Sequence, residues 1–203
     1  VVRRLVGALL ALGVASVFLL GGGLAAVVLR GINARDQPPA LEVALARGVR
    51  RLAIPRGLRE RTNPVPPSSD GLARARAHFA DHCASCHGND GRGQTALGRN
   101  LYPKAPDMTL SDTQRLTDGE LFVIIEDGVR LTGMPAWGSP GPEDDAETWG
   151  LVHFIRHLPR LAPDELEEMK ALNPKTRKEL EEEEEIRRFL SGEPAVTNGL
   201  GGR

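Results

Sequence analysis

Apolar and polar residues follow several distinct rhythms along this chain, and each predicts a different element. Leu5 to Leu29 is an uncharged run of 25 residues, with Arg3 and Arg4 before it and Arg30 after it. A helix of that length can cross a bilayer, since about 20 apolar residues span the hydrocarbon core. Between Leu41 and Arg51 the apolar positions recur at helical spacing, with arginines on the other faces. Such a helix either lies on anionic headgroups or is solvated as part of a basic linker. Leu72, Ala75, Phe79 and Cys83 predict another helix with one apolar face. Thr117 and Glu120 form a capping box ahead of Leu121, Ile124 and Ile125, which are expected to be the buried face, and Gly128 is a natural stop. From Glu147 to Leu158 a further helix puts Thr148, Leu151, Val152, Ile155 and Leu158 on one side. Trp149 and Phe154 broaden that surface, and Pro159 ends it.

The stretches between these elements set the domain boundaries. Gln37-Pro38-Pro39 and the Pro-rich run from Asn63 to Ser69 are poor in regular structure. The expected organisation is a transmembrane anchor over 1–30, a basic, Pro-rich linker over 31–70, a globular domain over 71–160 and an acidic tail over 161–203. Small residues from Gly21 to Ala26 keep a cleaved signal peptide open as the alternative to an anchor, but the length of the run favours retention. In the tail, Pro163 to Leu172 predicts a short helix with Asp164, Glu165 and Glu167 near its start. Asn173-Pro174 breaks it, and a second helical stretch holds Glu181 to Glu185, followed by Arg187 and Arg188. Those glutamates predict a solvated face, with a docking element as the alternative, and Ser191 to Arg203 is expected to be disordered.

Charge narrows the function. The net charge of −1 over 203 residues hides a basic segment at 30–69, with eight arginines against three acids. Residues 70–160 carry nine bases and thirteen acids, a net of −4. The basic excess therefore sits outside the expected globular domain, which argues against nucleic acid as a partner. Aromatic residues make up only 4% of the chain, against 23 glycines and 15 prolines, a thin supply for a large core.

The chemistry is concentrated in Cys83-Ala84-Ser85-Cys86-His87. This C-x-x-C-H pattern is the signature of covalent haem attachment. Cys83 and Cys86 can add across the two haem vinyl groups, and His87 can then bind the iron as the proximal ligand. These are the only two cysteines in the chain. A zinc site would want a second ligand pair, and a thioredoxin-like pair would want a βαβ context; neither is present. A disulfide across two intervening residues is the remaining alternative. Such a cofactor would also fill the space that the few aromatic side chains cannot.

Other residues are read around that motif. Gly88 to Gly93 is glycine-rich but lacks the lysine of a phosphate-binding loop, so it predicts turns or close backbone packing. Pro106 is the expected carbonyl partner for the second ring nitrogen of His87. Met134, flanked by Gly133 and Pro135, lies on a loop from which its thioether can reach the open side of the iron. Met108 reads as core and Met169 as part of the charged tail. The pairs His78/His82 and His153/His157 have metal-ligand spacing, although solvated helix faces explain them better.

The order of helix, C-x-x-C-H, loops, capped helix, Gly-Met-Pro-x-Trp and closing helix resembles a class I c-type cytochrome over about residues 71–160. The resemblance implies a small all-α fold whose first and last helices cross beside the haem, with Phe79 and Ala75 against Val152 and Ile155. It implies one covalent haem c and its iron, Cys83 and Cys86 as thioether sites, His87 as proximal ligand and Met134 as distal ligand. The function it implies is one-electron transfer, without catalysis of its own. The domain would face the periplasm from a single-pass anchor in a bacterial cytoplasmic membrane. Its partners would be redox proteins: an oxidase, a respiratory complex, a dehydrogenase or a larger membrane complex. A haem sensor or catalytic haem, or a structural haem subunit docked by the acidic tail, are the competing functions.

Overall fold

The computed structural model describes residues 2–31, 33–138 and 144–191, with only the backbone described at 26, 27, 30, 144 and 145. The described residues form helices and turns and contain no strand. Helix α1 (Val2–Arg30) is continuous, and its Val2–Ala25 portion is long and apolar enough to cross a membrane. Then come α2 (Ala40–Ala53), α3 (Arg56–Arg59) and α4 (Ser69–His78), which runs through a π-helical turn at Phe79–Cys83 into α5 (Ala84–His87). After a long loop come α6 (Ser111–Gln114), α7 (Asp118–Asp127), α8 (Asp144–His157), α9 (Pro163–Leu172) and α10 (Arg177–Ser191).

The core forms where α4 crosses α8. Ala75, Phe79, Val152 and Ile155 are all buried in one cluster. The Phe79 and Phe154 rings pack at 5.0 Å. Gly150 lies at this contact, where a Cβ would stand 3.5 Å from that of Ala75, an ordinary van der Waals distance. Each large side chain buried here contributes about 1.5–3 kcal/mol. Helix α7 adds a third layer by stacking Phe122 on Trp149 at 4.3 Å.

The local signals are realised at α7. Thr117 Oγ1 accepts from Glu120 N at 3.1 Å, and Glu120 Oε2 accepts from Thr117 N at 2.8 Å. The buried face, however, is Leu121, Phe122 and Ile125, while Ile124 is only half-buried. The stack on Trp149 explains the difference. Pro159 does not stop the chain abruptly either: Leu158–Arg160 continues as a 3-10 turn.

Both flanks of the domain depart from the sequence expectation. The segment read as a linker over 31–70 lies against the domain. Asn63 Nδ2 donates to the Trp149 carbonyl at 2.8 Å, Thr117 Oγ1 donates to the Arg59 carbonyl at 2.6 Å, and Arg61 sits over the Phe122 and Trp149 rings at 5.1 and 5.3 Å. Ile54 is buried. In the tail, Met169 is fully buried in the core rather than part of a solvated arm. Arg76 bonds Glu165 Oε1 at 2.8 Å and also Glu168, while Asn173 Nδ2 donates to the Ala80 carbonyl at 2.8 Å. These long-range partners turn polar segments into packed ones. Only α10 keeps the expected solvated character, with Arg177–Glu181 and Arg188–Glu184 pairs at 2.8 and 2.9 Å. Ser191 closes α10; the remainder of the stretch expected to be disordered, 192–203, lies outside the described residues.

Candidate haem site

The two thiols and the imidazole sit where α4 ends. The π-helical turn closes with Ala84 N donating to the Phe79 carbonyl, and α5 carries Cys86 and His87 directly after it. Both cysteines are free and half-buried. Burial, reinforced by the neighbouring Cys86, pushes the Cys83 thiol up to about 12. A redox-active thiol wants its thiolate stabilised, so this environment does not suit a thioredoxin-like pair. Burial also lowers the His87 pKa, with the Pro106 carbonyl pulling the other way, a shift toward the neutral ring that a metal ligand requires. His87 Nδ1 is buried without a fully formed hydrogen bond. The Pro106 carbonyl is the acceptor at hand.

The loop after His87 is tied back onto the motif by hydrogen bonds from its backbone and from the Thr95 hydroxyl. Gly93 N donates to the His87 carbonyl at 2.7 Å, Thr95 Oγ1 donates to the Cys86 carbonyl at 3.0 Å, and Gly98 N donates to Thr95 Oγ1 at 2.8 Å. Ala105 N then donates to the Gly98 carbonyl at 3.0 Å, which brings Pro106 beside His87. A Cβ on Gly98 would fall on the Cys86 carbonyl, and one on Gly93, whose φ is +68°, would fall on that of Ala105. The glycines thus serve close packing. Thr95 was not among the residues singled out from sequence; its place just after the glycine-rich stretch and three residues before Gly98 was its only signal.

The second loop approaches from α7. Val129 N donates to the Met134 carbonyl at 3.0 Å, Met134 N donates to Thr132 Oγ1 at 3.1 Å, and Trp137 N donates to the Ile125 carbonyl at 3.0 Å. Met134 is half-buried. Gly133 lies against the Leu101 side chain, so this loop meets the loop that carries Pro106. The Trp137 ring meets His82 edge-on at 5.6 Å, joining the same loop to the motif. Met108 is a core residue.

His78, His153 and His157 are half-buried while His82 stays exposed, and their partners differ. His153 Nε2 pairs with the Val65 carbonyl at 2.7 Å and His157 Nε2 with Glu165 Oε2 at 2.8 Å. His78 and His82 stack at 4.7 Å. Among the described residues no group of three or more His, Cys, Asp or Glu is placed to hold a metal ion.

Residues 70–155 match the family model described as cytochrome c oxidase, cbb3-type, subunit III. That match supports reading this segment as a monohaem c-type cytochrome. A relative, the cbb3-type cytochrome c oxidase subunit FixPc of Rhizobium leguminosarum bv. viciae, is 37% identical over 95 residues, covering 45% of this chain and 30% of that protein. The aligned part of the chain spans less than a third of that relative's length. The cytochrome domain implies a covalently bound haem c with its iron. The residues present fit that group: two free thiols, a half-buried imidazole with a carbonyl beside its buried Nδ1, and a thioether on the facing loop.

Proposed function

We propose that this chain transfers single electrons through its cytochrome domain, as a membrane-anchored component of a respiratory oxidase assembly. Bound haem supplies a ferric/ferrous couple. Cys83 and Cys86 hold it through thioethers, and His87 is the proximal ligand, its ring orientation set by Pro106. Met134 is the distal ligand, and its soft sulfur favours the reduced state. With His87 and Met134 both holding the iron, the site would leave no open place for a substrate, so the domain would carry electrons without catalysing a reaction of its own. The observation that carries this reading is the meeting of the two loops, with Gly133 against Leu101 and Met134 N bonded to Thr132.

The name of the Rhizobium relative points to a terminal oxidase as the neighbour. In this reading 1–30 is a single-pass anchor in the cytoplasmic membrane and the cytochrome domain lies in the periplasm. The anchor confines the domain to membrane partners and so raises their effective concentration. The domain's net negative charge suits a basic docking patch on one of them. Met134→Ala tests the ligand assignment. Its expected result is a holoprotein with a lowered reduction potential and a new capacity to bind carbon monoxide. An unchanged spectrum and potential would remove Met134 from the iron and favour a sensor or catalytic haem.

A further inference from the structure

We infer that α2 is an interfacial helix whose outer face lies in the lipid headgroup region, fixing the cytochrome domain to the membrane surface. At about 100° per residue, positions 43, 47, 50 and 54 share one side of the helix and its C-cap, and 41, 45 and 52 lie opposite. The first set faces the domain: Val43 and Arg50 are half-buried, Arg47 bonds Asp112 Oδ2 at 2.6 Å, and Ile54 is buried. The opposite set is apolar and open, with Leu41 72%, Leu45 61% and Leu52 85% exposed, and Val49 beside them at 65%. A solvated linker has no use for a leucine stripe aimed away from its own domain.

Connectivity selects the occupant. The segment 31–39 separates α1 from α2 and can reach no more than about 30 Å, so a membrane-crossing α1 delivers α2 to the bilayer surface. Arg47, Arg50 and Arg61 face the domain, but Arg35, Arg51 and Arg56 are exposed and complement anionic headgroups, as in other amphipathic helices that lie in the interface plane. Glu42 accepts from Tyr102 Oη at 2.8 Å, and Lys104 Nζ donates to the Arg35 carbonyl at 2.9 Å. Those bonds tie α2 and the segment just before it to the loop that carries Pro106, so its seat on the lipid also sets the orientation of the domain.

The test uses the full chain reconstituted in vesicles of phosphatidylethanolamine and phosphatidylglycerol. A photo-crosslinking benzoylphenylalanine replaces Leu45, Leu52 or, as a comparison, the exposed Lys178 of α10. Irradiation is followed by intact-protein mass measurement. Lipid adducts are expected at 45 and 52 in several-fold higher yield than at 178, and Leu41→Ser combined with Leu52→Ser should lower the yield at 45. Equal lipid yields at all three positions, or no lipid adduct at 45 and 52, would overturn the inference. Covalent dimers in place of lipid adducts would overturn it too, by assigning the stripe to a second copy.

Discussion

The two loops that flank the proposed haem site are built on opposite plans. The loop from Gly88 to Pro106 is a lattice: the carbonyls of Cys86, His87 and Gly98 each accept a hydrogen bond, and Gly93 and Gly98 have no room for a side chain. The loop from Gly128 to Gly138 is held at its ends and at Thr132, and its tip carries Leu131 at φ 63°, 94% exposed. The first plan suits a ligand that must not move. The second leaves the thioether side more deformable, and so places any exchange of ligand there.

Gly98→Ala should break the comparison most severely. Its Cβ would meet the backbone carbonyls of Cys86 and Gly93, which cannot turn aside. A loss of about 1–3 kcal/mol in denaturant unfolding is expected, with a lower yield of haem-bearing protein. A neutral result would show that the first loop is softer than its hydrogen bonds imply. Thr132→Val is a smaller change. It removes the acceptor for Met134 N and the donor to the Val129 carbonyl, at a cost of about 1 kcal/mol. Faster displacement of the distal ligand by added imidazole is expected, with the unfolding midpoint little changed. Leu131→Gly should have the least effect and the opposite sign. Relief of left-handed backbone strain is worth about 1 kcal/mol, partly offset by glycine's greater freedom in the unfolded chain, so a slight rise in stability is expected. A fall would mean that Leu131 packs against something its exposure conceals.

What could be read from sequence was local or periodic. The capping box at Thr117 and Glu120 involves residues three apart, and the buried face of α8 follows the helical repeat, so both are visible without a partner. Thr95 escaped notice because its role depends on a carbonyl nine residues earlier and on the turn between them. The flanks were misjudged for a related reason. Segment 163–172 and segment 177–191 are both rich in glutamate, yet one docks and the other does not. The difference is Met169 in the core and Glu165 between Arg76 and His157, partners that composition does not reveal. Burial raises the Glu165 pKa, but the Ala162 N–H, His157 and Arg76 outweigh it and hold the carboxyl below its usual range. The stability this adds is present above the unfolded carboxyl's range and is lost as pH falls through the depressed value. Proline-rich composition likewise suggested a free linker, where Asn63 and Val65 in fact bond α8.

The most direct test is the oxidised and reduced absorption of the full chain, produced together with the haem-attachment machinery and then extracted with acidified acetone. The account predicts a reversible low-spin c-type spectrum and haem that stays with the polypeptide. Haem that extracts freely, or no haem at all, would contradict the attachment of Cys83 and Cys86. A high-spin spectrum that shifts with carbon monoxide would contradict the closed His87 and Met134 site on which the electron-transfer proposal rests.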